Sequence, residues 1–166
     1  MDSKQDIIMI PGQWNISFEY AAGVIGSEFL RRLRDEKRIS GVQCPKCRRV
    51  ILPPRGFCDR CFAAVEGWID VGPGGAIQSF TITTEPFLGL PDPPYAIAYV
   101  TLDGASTAMV NFVRGVDLSD IQEAARALAV GTRVTVSWSR SRKGRITDFH
   151  YRLKTVQGPK SKVQGR

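Results

Sequence analysis

Hydrophobic positions change period once along this chain, from helical to alternating. Between Ala21 and Arg38 the apolar residues Val24, Ile25, Phe29, Leu30 and Leu33 recur at three-to-four spacing, which predicts one amphipathic helix. Arg31, Arg32, Arg34, Lys37 and Arg38 crowd its second half, where cations suit the helix dipole. Ile39 to Gln43 reads as a short strand. From Glu66 onward short β-type runs are separated by Gly and Pro: 67–71, 75–84, 95–102, 106–113, 132–139 and 145–152. Thr81 to Thr84 and Val134 to Trp138 alternate with β-branched residues. A single helix interrupts this series. Ser119 and Gln122 read as its capping-box pair, Ile121, Ala124, Ala125 and Leu128 as its apolar stripe, and Gly131 as its stop. Three long strands, a helix and two more strands is the order of an OB-fold barrel. Gly72 to Gly75 is expected to bend the long first strand or seat a bulge there.

The expected fold is therefore mainly β with an N-terminal helix. Its segments are an extension and helix (1–39), a cysteine-bearing ribbon (40–65), an OB-fold barrel (66–152) and a basic tail (153–166). Trp14, Phe18 and Tyr20 cluster in an otherwise irregular first stretch, and must dock either on this core or on a partner.

Composition changes this picture little; charge changes it more. At 43% hydrophobic and 23% charged, the chain of 166 residues has enough apolar material for one real core. Its net charge of +7 is concentrated at one end. Residues 139–166 hold nine Lys or Arg and a single acid, Asp148, for a net +8, leaving −1 for everything before them. Such an end attracts phosphates or acidic proteins, or merely keeps a tail solvated. The opening residues lack the basic start and long apolar core of a signal peptide, and no run is long enough to span a bilayer. The expected location is cytoplasmic, which leaves the sequon at Asn15 without meaning.

Cys44-x2-Cys47-x10-Cys58-x2-Cys61 is the strongest chemical signal. Two tight turns can each present two sulfurs to one tetrahedral ion at about 2.3 Å. A thioredoxin-type motif needs one pair opening a helix, and structural disulfides do not suit a cytoplasmic chain. The reading is a structural zinc site, although a knuckle pair of this kind also accommodates iron. Lys46, Arg48, Arg49, Arg55 and Arg60 surround it and offset the −2 charge of a Zn(Cys)4 centre. With four protein sulfurs as ligands, no coordination position is open for catalysis.

Little else reads as catalytic. His150 is the only histidine, and Asp148 lies two residues before it, on the same face if both sit in a strand. There is no G-x-S-x-G motif and no glycine-rich loop followed by a helix and Lys. The loop Pro86–Pro94 carries Phe87, Leu88 and Leu90 between prolines, a pattern that suits either a partner surface or a cap on the barrel.

A helix, a two-knuckle ribbon and an OB-like barrel together resemble the zinc-ribbon/OB-fold family of proteins associated with acyl-CoA enzymes. The resemblance covers roughly 20–152 and rests on Gln43-Cys44-Pro45-Lys46-Cys47, Leu52-Pro53-Pro54-Arg55 and Cys58-Asp59-Arg60-Cys61. It continues through the Trp68 strand, Gly75 to Thr83 and Pro94 to Val100. It implies a small partner subunit of thiolases (benzoylsuccinyl-CoA thiolase among them), of related acyl-CoA condensing or aldol-cleaving enzymes, or of hydratases. The partner would supply the catalytic Cys and His, and the small subunit would help enclose the CoA ester. On that reading Arg55, Arg142, Lys143 and Arg145 are the candidate contacts to CoA phosphates. One departure stands out: Arg48 and Phe62 occupy the places where such knuckles usually have glycine, so the sulfur-accepting turns are expected to be less regular. Zinc ribbons and OB barrels also occur in nucleic-acid binders, but that function wants cations among the aromatics of the middle strands. Only Arg114 lies near Tyr99 and Phe112.

Overall fold

A computed structural model describes residue 8, residues 10–12 and residues 16–154. Trp14, Asn15 and most of the basic tail lie outside the described residues.

The helical pattern resolves into two pieces, α1 (Gly23–Arg31) and a π-helical turn (Arg32–Glu36). Lys37 ends the turn in the left-handed region at φ 53°, donating its backbone N–H to Arg32 O. Phe29 and Leu33 are the buried positions of this segment, and Arg32 stacks over the Trp68 ring at 4.7 Å. Strands β1 (Ser40–Gln43), β2 (Val50–Ile51) and β3 (Glu66–Asp70) form an antiparallel sheet in the order β2-β1-β3. The run that begins this second half of the chain thus pairs with β1 rather than with a barrel strand: Val42 faces Trp68, and Gly41 faces Ile69.

The barrel is closed in the order β4-β5-β6-β8-β7. Its strands are β4 (Gly74–Thr83), β5 (Tyr95–Leu102), β6 (Met109–Arg114), β7 (Arg133–Trp138) and β8 (Phe149–Leu153). Helix α2 (Ile121–Ala127) lies between β6 and β7, and β6 and β8 pair in parallel, so the OB order expected from the sequence is the observed one. Alternation places Ala96, Ala98, Val100 and Leu102 inside on β5, and Phe149 and Tyr151 inside on β8. Tyr151 donates its hydroxyl to Met109 O at 3.1 Å, which satisfies the polar end of a fully buried ring.

Two local expectations are corrected. The cap of α2 is Asp120, whose carboxylate accepts from the Gln122 and Glu123 N–H groups; Ser119 instead donates its own N–H to Asp117. A carboxylate at that position satisfies two orphan donors and also suits the positive end of the helix. The bulge of β4 falls between Ile77 and Ser79, not at the glycines. Gly75 is there for space: a Cβ would come within 2.7 Å of Val100 Cγ1 and 2.8 Å of Thr101 O.

Ribbon and barrel are joined. Thr107 Oγ1 accepts from Leu52 N and donates to Leu52 O, both at 2.7 Å. Ser106 makes the same kind of pair with Val50. The main apolar cluster runs from Phe29 and Leu33 through Val50 and Leu52 to Ile77, Val100 and Tyr151 without a break.

Candidate metal site and basic loop

The metal site is built by two matching turns. The first follows β1, and the second lies between the Phe57–Ala64 bridge residues. In each, the chain doubles back after the second cysteine: Arg48 N donates to Cys44 O and Phe62 N to Cys58 O, both at 2.9 Å. Arg48 and Phe62 adopt the left-handed conformation at φ 62° and 52°. Two residues with side chains thus take up the geometry usually left to glycine, at a cost of about 1 kcal/mol each. The turns remain regular, contrary to the expectation. Backbone N–H groups still aim at sulfur, from Cys47 to Cys44 Sγ (3.5 Å) and from Arg60 to Cys58 Sγ (3.4 Å).

All four Sγ atoms lie within 4.8 Å of one another, and Cys47 Sγ is 3.7 Å from Cys58 Sγ. The edge of a tetrahedron of sulfurs about 2.3 Å from zinc is about 3.8 Å. Without a cation this crowding is unfavourable for charge. Hydrogen bonding with Cys47, then burial, then Cys44 push the Cys61 thiol up to about 12. A divalent ion reverses that logic by holding all four as thiolates. The donor set, spacing and partial burial fit structural zinc. Cys44 and Cys58 also form a small core with Val42 and Ile51.

The surrounding cations divide. Arg49 and Arg55 both reach Asp59, at 3.1 and 3.9 Å. Arg55 is therefore part of the ribbon's own charge pairing. Arg142, Lys143 and Arg145 occupy the loop between β7 and β8, and nothing described brings Arg55 into contact with them.

That loop is tied down by Asp148. Its buried carboxylate accepts from the N–H groups of Lys143 (3.0 Å), Gly144 (2.7 Å) and Arg145 (3.1 Å). Asp148 lies in a 3-10 turn (Ile146–Asp148) before β8, so it does not share a strand face with His150 as the two-residue spacing implied. His150 sits in β8 opposite Ser137, with Nε2 buried and without a hydrogen-bond partner among the described residues. Burial, then Arg114 and Arg152, lower its pKa. The loop also packs on the N-terminal helix: Arg142 Nε donates to Arg34 O at 2.8 Å, and Gly144 lies against Leu30 O and the Arg34 side chain. Asp35, paired with Arg34, feels Arg142 and Arg31 as well, and its carboxyl is held below its ordinary value chiefly by Arg34. Two segments a hundred residues apart thus form one basic rim, a grouping that sequence distance concealed. Beside it, a cleft of about 260 Å³ opens between ribbon and barrel, lined by Lys37, Arg38, Ile39, Val71, Pro73 and Trp138 among others.

Comparison with known proteins agrees with this two-part architecture. Residues 31–66 match the ChsH2 rubredoxin-like zinc ribbon domain, and residues 68–139 match the ChsH2 C-terminal OB-fold domain. Together the two matches span well over half of the chain. The chain belongs to the ChsH2 zinc-ribbon/OB-fold family. A chain of the Ltp2-ChsH2(DUF35) aldolase superposes on this ChsH2-family chain with a TM-score of 0.59 at 17% identity, covering 81% of this chain and 98% of that one. A DUF35-family protein of unknown function from Sulfolobus solfataricus superposes with a TM-score of 0.58 at 20% identity, covering 80% and 87%. At these identities the likeness shows a shared fold. No curated protein matches the sequence. Among the described residues no helix is long and apolar enough to cross a membrane.

Proposed function

We propose that this chain is a non-catalytic, zinc-stabilised subunit that docks on a thiolase-like acyl-CoA enzyme and helps bind or enclose the CoA ester. The observation that carries the reading is the pairing of ChsH2 ribbon and OB-fold in one chain, on the fold of a chain from the Ltp2-ChsH2(DUF35) aldolase. The disposition of reactive groups supports it. The four cysteines are gathered around a metal position, Asp148 is committed to a loop, and His150 is held toward its neutral form. The chemistry is therefore assigned to the partner. The chain would be expected in the cytoplasm, where acyl-CoA esters are handled.

The phosphate contacts belong to the β7–β8 loop. Arg140, Lys143 and Arg145 make no ion pair among the described residues, and Arg142 contacts a backbone carbonyl. Lysine and arginine heads on a backbone already fixed by Asp148 offer charge-assisted bonds to phosphate at little ordering cost. The adjoining cleft has an apolar floor and a tryptophan, which suits the non-phosphate part of such a ligand. Arg55 is retained as a weaker candidate on the ribbon side.

The test replaces Arg142, Lys143 and Arg145 with Gln in the reconstituted complex. The KM for CoA esters should rise on the order of tenfold at low salt, and the difference should shrink above about 0.5 M salt as exposed charges are screened. An unchanged KM in an intact complex refutes the assignment. Tight binding of single-stranded oligonucleotides by the wild-type chain, with a steep salt slope lost in the triple variant, would replace it by nucleic-acid binding.

A further inference from the structure

Residues 16–20 read Ile-Ser-Phe-Glu-Tyr, apolar and polar in strict alternation. That is the pattern of a half-buried strand. Among the described residues the segment joins no helix and pairs with no strand. The Phe18 and Tyr20 rings stack 6.1 Å apart and 27° from parallel, an arrangement compatible with positions two residues apart on one face of a strand-like segment. Among the described residues this apolar face is left open to solvent: Ile16 is 65% exposed, Phe18 75% and Tyr20 83%, and the stripe continues onto α1 through Val24 at 85%. These four side chains expose on the order of 600 Å², against about 800 Å² that each partner contributes to an interface of standard size. Solvent-facing apolar area of that extent, confined to one short segment, marks a contact surface.

We infer that residues 16–20 are a docking arm that lies in extended form in an apolar groove of the partner enzyme subunit, with Val24 at the start of α1 extending the contact. The inference rests on the proposed function for the identity of the partner, and it names the surface used. The chemistry of the arm selects a protein over other occupants. Between Ile16 and Val24 the only charged residue is Glu19. A membrane-surface segment would be helical and flanked by cations, and a nucleic-acid contact would need cations among its aromatics. An uncharged groove with a free strand edge instead matches both the side chains and the unpaired backbone. The basic rim at Arg31, Arg34 and Arg142 begins about two helical turns along α1 from the arm. Docking the arm would therefore bring the partner alongside the loop assigned to phosphate.

The probe is the thiolase-like subunit that co-elutes with the wild-type chain, identified by mass spectrometry, purified separately and titrated. Phe18→Ser with Tyr20→Ser should raise the dissociation constant at least about 30-fold while leaving thermal unfolding of the isolated chain unchanged, because neither ring touches the core. Amide exchange over 16–20 should be fast in the free chain and slowed at least tenfold in the complex. Equal affinity of the double variant, with the arm still exchanging freely in an intact complex that processes CoA esters, overturns the arm and leaves the proposed function standing. Loss of affinity for a partner that handles no CoA ester upholds the arm and overturns that function. A wild-type dimer that the double variant dissociates, or binding to phosphatidylcholine/phosphatidylglycerol vesicles that it abolishes, assigns the arm to a second copy or to lipid and overturns the inference.

Discussion

Removing the Asp148 carboxylate should loosen the β7–β8 loop more than it loosens the barrel. In Asp148→Ala, three backbone N–H groups lose a charged acceptor at 2.7 to 3.1 Å. A hydrogen bond to a charged group contributes about 1.5–3 kcal/mol, which gives an upper figure of about 4.5–9 kcal/mol for three. Water can replace part of this, because Lys143 and Arg145 are exposed and their amides can turn outward once the carboxylate is gone. The expected cost is therefore about 2–4 kcal/mol, read from urea unfolding with the slope checked for two-state behaviour. Asp148→Asn should cost less than Asp148→Ala, since one carbonyl oxygen remains to accept. Amide exchange at 143–145 should accelerate in both variants, while exchange at Val100 and Tyr151 should change only as far as global stability does. If Asp148→Ala lies within about 0.5 kcal/mol of wild type and the amides at 143–145 stay protected, the carboxylate does not organise the loop. The account of how Arg142 and its neighbours are positioned then fails with it.

Two further outcomes are expected. Elemental analysis should find one zinc per chain, and Cys44→Ser or Cys58→Ser should remove it and raise amide exchange across 42–62, because structural zinc contributes of the order of 10 kcal/mol to folding small ribbons; unchanged exchange after chelation would show that the ribbon holds itself. His150 should titrate below its ordinary 6.5 by NMR, since burial, Arg114 and Arg152 disfavour its charged form; the unfolded chain then takes up its proton first as pH falls through 6.5, so stability should decline there and His150→Gln should flatten that decline.

Much of this molecule was legible because its signals are local. Cysteine spacing marks the knuckles whatever follows them, and alternation in Tyr95–Leu102 is sufficient to place a barrel strand. What could not be read required knowing which segments meet. Arg34 and Arg142 are 108 residues apart, and only the packed loop joins them. Asp148 and His150 looked like a pair because a two-residue offset implies one strand face, but the strand begins only at Phe149. The cap of α2 shows a nearer failure. Ser119, Asp120 and Gln122 offer two overlapping capping patterns, and the choice depends on the extended backbone of Asp120 at φ −113°, which the helix boundary determines. At Arg48 and Phe62 the sequence rule itself misleads. Glycine is the easiest residue for a left-handed turn, but two backbone hydrogen bonds and the gathering of four sulfurs outweigh about 1 kcal/mol of strain at each.

The proposed role also explains why the ribbon is fused so firmly to the barrel. A zinc ribbon of this size contributes almost no core beyond Val42, Ile51 and the cysteines themselves. Free to pivot, it could not fix anything relative to the barrel. Here Val50 and Leu52 enter the main apolar cluster, Ser106 and Thr107 close their backbone groups, and Arg32 clasps Trp68 from the helix side. The helix is thereby held against both units. Residues 16–20 precede one end of it, and the β7–β8 loop packs against the other. A rigid body of this kind keeps a constant spacing between the zinc ribbon, the helix and the row of cations on the β7–β8 loop. On the proposed function, a subunit that works by position rather than by its own catalytic groups requires that constancy, since a charged loop displaced by an ångström would lose its grip on a phosphate.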